Sequence, residues 1–120
     1  MKLYQYEKCE TCRKAKKWLD EKGLEYQSVS IRDTPPSKTE LKAMLDAHEG
    51  QYKKLFNTSS KDYRDPEIKN RLPGMTMEEK ITLLSARGNL VKRPFLIGDG
   101  VLLQGFKPEI WESTLEKNED

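Results

Sequence analysis

The sequence predicts an α/β fold, with a mixed four-stranded sheet whose two halves are separated by an inserted helical subdomain. Three observations carry this. A strand-like run, a helix and a second strand-like run follow one another within the first 31 residues, which is a βαβ unit. A helix-rich stretch from about 37 to 87 comes next, opened and closed by capping and turn residues. Two short apolar runs joined by Gly98-Asp99-Gly100 then return to β, and a last helix follows.

Each element has its own reason. Lys2-Leu3-Tyr4-Gln5-Tyr6 reads as the first strand. From about Thr11 to Lys22 the spacing is helical, with Cys12, Ala15 and Leu19 on one inward stripe. Gly23 ends that helix, where a left-handed residue is needed. Tyr26 to Ile31 is the second strand, with Val29 and Ile31 on one face, parallel to the first through a right-handed crossover. Pro35-Pro36 stops it, and Ser37-Lys38-Thr39-Glu40 is a capping box for a helix with Leu41, Met44, Leu45 and His48 on one side, ending near Gly50.

Tyr52 to Phe56 forms a short turn, Asn57-Thr58-Ser59-Ser60 a polar loop, and Pro66 to Lys69 a short helix broken by Leu72-Pro73-Gly74. Thr76-Met77-Glu78-Glu79 is a second capping box, with Met77, Ile81 and Leu84 inward and Gly88 closing the helix. Phe95-Leu96-Ile97 and Val101-Leu102-Leu103 form the hairpin. Pro108 opens the last helix, with Ile110, Trp111 and Leu115 packing inward and Lys117 to Asp120 frayed.

At 120 residues the chain is one domain by size. Hydrophobic and charged residues each make up 35%, so a lean core sits under a highly charged surface. The net charge of +2 comes from interleaved signs, which does not call for nucleic acid. No apolar run approaches a membrane span, and there is no signal-peptide core, so the expected location is the cytoplasm.

The only two cysteines form Cys9-Glu10-Thr11-Cys12 at the turn from the first strand into the first helix. In a reducing cytosol such a pair points to redox chemistry rather than to a staple. It marks a thioredoxin-like (glutaredoxin-like) site. Exposed N–H groups at a helix start stabilise an anion, so the first thiol ionises more readily. Cys12 belongs to the inward stripe and Cys9 precedes it, so Cys9 is the attacking thiol and Cys12 the resolving one. Lys8 and Arg13 would add positive charge there, and within the run Arg13 to Lys17 only Arg13 lies near enough to matter. A zinc site is the rival reading of C-x-x-C. It needs four ligands, and two Cys plus the single His48 fall short, so no metal is expected. His48 reads as a helix-end residue, and Trp18 and Trp111 as packing residues. Arg93-Pro94 precedes the third strand, where thioredoxin-like folds set a cis-proline against the active cysteine. Pro94 is therefore expected to be cis and beside Cys9, with Arg93 meeting an anion or a thiolate.

From Leu3 to about Glu112 the sequence resembles the glutaredoxin-linked, ArsC-type arsenate reductases and the related Spx-type redox regulators. The matching pieces are Tyr6-Glu7-Lys8-Cys9-Glu10-Thr11-Cys12-Arg13-Lys14-Ala15, Pro35-Pro36-Ser37 with Glu40, Lys54-Leu55-Phe56-Asn57-Thr58-Ser59, Lys92-Arg93-Pro94-Phe95-Leu96 and Gly105-Phe106-Lys107-Pro108-Glu109. In the reductases one cysteine attacks arsenate and three arginines hold the oxyanion. By resemblance the cysteine is Cys9 and one arginine is Arg93. A second falls at Asn57 and the third at Lys107, which keeps charge without the planar fork. Cys12 stands where single-cysteine enzymes commonly have serine, so this chain could resolve its own adduct.

The resemblance implies a thiol-dependent reductase with Cys9 and Cys12 as catalytic pair and Arg93, Pro94, Lys107, Asn57 and Arg13 at the substrate. It implies no bound cofactor, and a thiol donor (glutathione with glutaredoxin, or thioredoxin) as reducing partner. The missing arginine at Asn57 implies weak arsenate reduction. The C-x-x-C is also what Spx-type regulators carry, and these bind the RNA polymerase α subunit. A redox-sensing regulator is therefore the competing expectation.

Overall fold

The computed structural model describes the backbone of residues 1–118, with side chains through Glu116. The chain divides into two compact units. The first comprises Met1–Ser30 and the chain from Arg93 onward, and the second Ile31–Lys92.

The first unit holds the sheet. Strand β1 (Lys2–Gln5), helix α1 (Glu10–Glu21) and strand β2 (Gln27–Ser30) form the βαβ unit. After the second unit come strands β3 (Phe95–Gly98) and β4 (Val101–Gln104) and a C-terminal helix, Pro108–Asn118. The strand order is β2-β1-β3-β4, with β1 and β2 parallel and the other pairs antiparallel. This is the mixed sheet of a thioredoxin-like fold. Leu3 pairs with Leu96, and Leu96 with Leu103, so one face carries a continuous apolar row. That row packs with Ala15, Leu19, Val101, Trp111 and Leu115 into the core. On the other face the paired Tyr4 and Phe95 meet edge to face, centroids 5.7 Å apart.

Local chemistry sets the element ends. Gly23, at φ 70°, closes α1 while Leu24 N–H donates to Leu19 O and Gly23 N–H to Asp20 O, a Schellman pair. In the β3–β4 hairpin both central residues are left-handed, Asp99 at φ 52° and Gly100 at φ 80°, which is the turn that matches strand twist. The indole N–H of Trp111 donates to Gly105 O at 3.0 Å, satisfying the buried ring's polar edge. Its rings with Phe106 and Trp18 form an edge-to-face trio.

The second unit is helical. It contains α2 (Lys38–Ala47), α3 (Lys61–Arg64), α4 (Pro66–Arg71) and α5 (Met77–Ala86), with short 3₁₀ turns after α2, α4 and α5. The C-terminal helix is accordingly α6. Both expected capping boxes form: Ser37 and Glu40 cap α2 reciprocally, and Thr76 and Glu79 cap α5. Leu41, Met44, Leu45, Ile81 and Leu84 are buried. Lys80 is buried as well, its ammonium 3.6 Å from the Tyr52 ring centroid, where the ring face replaces water around the charge. No described helix is long and apolar enough to cross a membrane.

Four expectations need correction. The short helix α3 is unanticipated; Ser60 caps it by accepting from Tyr63 N–H at 3.1 Å. Met77 and Ile110, expected inward, are exposed: Met77 shares the face of Ile81 and Leu84 but stands in the first turn of its helix, ahead of the residues that face buries, and Ile110 lies off the stripe of Trp111 and Leu115. Gly88 is not a left-handed cap. The helix ends at Ala86, and Gly88 opens a 3₁₀ turn pressed against the main chain of Ile31. The sheet also ends sooner than expected, leaving Tyr6 and Ile31 beyond it. The fraying expected at Lys117 to Asp120 falls, for Glu119 and Asp120, outside the described residues.

A Cβ on Gly88 would lie 1.7 Å from Ile31 O, a backbone atom that cannot step aside cheaply. Gly88→Ala is therefore expected to destabilise by about 2–3 kcal/mol in urea unfolding, the upper range for overpacking. Gly74→Ala, which meets nothing within 4 Å, should stay within about 0.5 kcal/mol.

Candidate active site

Cys9 is placed by the turn that leaves β1. Its N–H donates to Tyr6 O at 3.0 Å, and its carbonyl accepts the first helical bond of α1, from Arg13 N–H at 3.1 Å. With φ −88° and ψ 115° it is the N-cap residue, and its Sγ accepts from Cys12 N–H at 3.3 Å. The sulfur thus fills the position a serine or aspartate oxygen usually takes. Cys12, Ala15 and Leu19 face the sheet, fully buried, as their spacing predicts. Cys9 is half-buried at the helix mouth, and both thiols are free.

This geometry separates the two thiols chemically. The Cys12 thiol donates to the Cys9 sulfur, and this is the largest cause pulling the Cys9 pKa down to about 6. Partial burial opposes it, while Cys12 N–H and the charge and hydrogen bond of Arg93 add to the lowering. The same thiol–sulfur bond, together with burial and the neighbouring thiolate, pushes Cys12 far above the ordinary thiol range. Among cations, Arg93 rather than the expected Lys8 and Arg13 supplies the charge acting on Cys9.

Arg93 ends the segment entering β3. The Arg93–Pro94 bond is cis, as the sequence suggested, and Pro94 O accepts from Gly105 N–H at 2.8 Å, tying the start of β3 to the residue after β4. The Arg93 guanidinium carbon lies 4.9 Å from the Tyr6 ring centroid, and Nη1 is buried with no hydrogen-bond partner.

The remaining site candidates are placed as follows. Arg13 is exposed and donates through Nε to Glu7 O at 2.8 Å, bracing the cysteine loop. Lys107 is exposed, and its carbonyl accepts from Ile110 and Trp111 N–H, so it opens α6. Asn57 belongs to the second unit, where its N–H donates to Leu90 O at 2.7 Å and its carbonyl accepts from the Ser60 hydroxyl at 2.8 Å. The structure therefore brings Cys9, Cys12 and Arg93 together, with Pro94 next in the chain. Tyr6 was missed as a site residue. It opens the cysteine-loop piece of the resemblance, but as an aromatic three residues before the first cysteine it reads there as a strand residue. No cluster of three or more His, Cys, Asp or Glu suited to a metal occurs among the described residues.

The model described as ArsC family matches residues 4–114. The chain belongs to the ArsC family. The uncharacterized protein YusI of Bacillus subtilis (strain 168) is 44% identical over 92% of this chain and 93% of its own. The global transcriptional regulator Spx 2 of Bacillus cereus is 30% identical over 89% of this chain and 80% of its own. Among solved structures, a Bacteroides fragilis protein described as related to the ArsC family superposes with a TM-score of 0.83. It is 46% identical and covers 93% of this chain and 94% of its own. A possible arsenate reductase from Streptococcus mutans UA159 superposes at 0.81, with 34% identity and coverage of 92% and 96%. In this ArsC-family chain the cysteine loop, the Arg-Pro segment and the start of α6 all fall inside the matched residues.

A depressed pKa makes alkylation of Cys9 fast above about pH 6 and slow below it. At pH 7 such a thiol is about 90% thiolate, against about 3% for an ordinary cysteine. Iodoacetamide rates against pH should show that midpoint for Cys9 in Cys12→Ser, where a hydroxyl keeps the donor. In Cys12→Ala the midpoint should move up, because the largest lowering interaction is gone.

Proposed function

We propose that this ArsC-family chain is a thiol–disulfide oxidoreductase acting through a Cys9–Cys12 redox pair. The observation that carries the proposal is the Cys9 sulfur at a helix N-cap, bonded by Cys12 N–H at 3.3 Å and faced by Arg93, with Cys12 fully buried behind it. The reading takes the chain as one thioredoxin-like domain carrying its insertion, working in the cytoplasm.

The steps follow from the thiol chemistry. Cys9 thiolate attacks one sulfur of a substrate disulfide; the S–S bond breaks, a mixed disulfide forms on Cys9, and the departing thiolate takes a proton. Forming that bond removes the negative charge that had held Cys12 protonated. Cys12 then loses its proton to water, attacks the Cys9 sulfur and displaces the second substrate thiol. Two electrons have moved from the protein to the substrate, leaving a Cys9–Cys12 disulfide. A thiol donor, glutathione with glutaredoxin or thioredoxin, returns them. No bound cofactor is required.

Arsenate is a poor substrate in this reading. The family resemblance assigns three cationic positions to the oxyanion, and the chain offers Arg93, a lysine at Lys107 and a neutral Asn57. Each absent charge-assisted hydrogen bond costs about 1.5–3 kcal/mol, tenfold or more in affinity.

A second reading is favoured by the identity to the Spx 2 regulator. There the same pair senses oxidants, and its oxidation state governs docking on the RNA polymerase α subunit.

One set of measurements separates these. NADPH oxidation is followed with a disulfide or arsenate as acceptor, glutaredoxin and thioredoxin systems being supplied in turn. Disulfide turnover is expected, abolished in Cys9→Ser, and in Cys12→Ser stalled as a mixed disulfide visible by mass spectrometry. Arsenate turnover should be at least tenfold below that of a three-arginine enzyme, and should rise in Asn57→Arg with Lys107→Arg. No turnover with any acceptor, together with oxidation-dependent retention on immobilised α subunit, would replace the reductase reading by the regulator.

A further inference from the structure

The antiparallel register of β1 and β3 pairs Lys2 with Ile97, Leu3 with Leu96 and Tyr4 with Phe95. Continuing that register two residues beyond the last pair brings Tyr6 opposite Arg93, on the same side as the Tyr4–Phe95 pair. The side chains do meet: the Arg93 guanidinium lies over the Tyr6 ring at 4.9 Å. The Tyr6 carbonyl also accepts from Cys9 N–H at 3.0 Å, so one residue touches both the nucleophile's backbone and the cation beside it.

A guanidinium carries its donors in its own plane. Stacking on a ring uses the face and leaves those donors free to point at the Cys9 sulfur. A carboxylate in the same place would orient Arg93 as well, but would neutralise the charge that the thiolate uses. No Asp or Glu pairs with Arg93 among the described ion pairs, and its Nη1 is buried without a partner. The ring also shields one face of the cation from water, which strengthens its field at the sulfur.

We infer that Tyr6 is a positioning residue for the proposed reductase chemistry, its ring holding Arg93 against the Cys9 sulfur. The inference rests on Cys9 being the nucleophile and adds the residue that keeps its cation in place.

The test reads the Cys9 alkylation midpoint in the full-length protein, with folding followed by circular dichroism. Tyr6→Phe keeps the ring and should leave most of the lowering in place. Tyr6→Leu keeps apolar bulk without a π-face, and its midpoint should rise by about half a unit, a two- to threefold loss of rate near pH 6. The limiting rate at high pH should not change, since the sulfur itself is untouched. In an Arg93→Ala background Tyr6→Leu should cause no further rise, because the ring acts through the arginine. Should Tyr6→Leu not fold, Tyr6→Met carries the same comparison. A midpoint in the folded Tyr6→Leu or Tyr6→Met protein equal to that of the unsubstituted protein would overturn the inference, as would an undiminished rise in the Arg93→Ala background. Disulfide exchange by the unsubstituted protein is measured alongside. Exchange with an unmoved midpoint sinks this inference alone, whereas absence of exchange sinks the reductase reading on which it rests.

Discussion

The hydrogen bond from Cys12 N–H to the Cys9 sulfur is the interaction on which the site depends. A neutral thiol is a weak acceptor and a poor helix cap, whereas a thiolate is a good one. Ionisation of Cys9, favoured most by the Cys12 thiol and further by the Cys12 N–H, therefore also strengthens the cap of α1. The bond exists only because α1 begins where β1 has just delivered the chain, and α1 is held there by the buried Cys12, Ala15 and Leu19 against the sheet. The apolar stripe that builds the core thus also decides which thiol is sheltered and which is offered.

The second requirement is a cation that is not already spent. Arg93 reaches Cys9 from the other half of the unit's sequence, and the sheet makes that possible by pairing β1 with β3. Pro94 O and Gly105 N–H secure the approach on one side, and the Tyr6 ring lies against the guanidinium on the other. Surface charges elsewhere pair with each other at modest value, as Lys14 does with Glu10 and Lys17 with Glu21, both one helical turn apart. An arginine stacked on an aromatic keeps its full charge for whatever it faces, which is the useful property next to a thiolate.

The second unit reaches its order by different means. Its helices are short, and each has a definite cap: Ser37, Ser60, Asp65 and Thr76 all accept backbone N–H groups through their side chains. With so few residues per helix, such caps are a large share of what holds each one. Around Asn57 the main chain, bonded to Leu90 and to Ser60, carries the turn. These bonds use the main-chain atoms of Asn57, so the backbone there does not rely on its side chain.

How much was legible in the sequence follows from the range of the interactions concerned. Cys12, Ala15 and Leu19, Gly23, the two capping boxes and the Asp99-Gly100 turn act within a few residues, so spacing alone placed them, and with them the order of strands and helices. The inequality of the two thiols was also legible, because a helix start and an inward stripe are local facts. Met77 and Ile110 were misjudged because apolar character does not say which way a first-turn residue points once the neighbouring elements are in place. Gly88 was misjudged because only the folded chain brings Ile31 O against it. The cation that acts on Cys9 was assigned in part to Lys8 and Arg13, its sequence neighbours, but Arg13 turns to Glu7 O and Arg93 supplies the charge. By itself the sequence determined the helix that carries the two cysteines and which of them is sheltered. Arg93 was legible through the proline beside it, but that its guanidinium lies over the Tyr6 ring was decided by the register of two strands some ninety positions apart, a long-range pairing with no local signature.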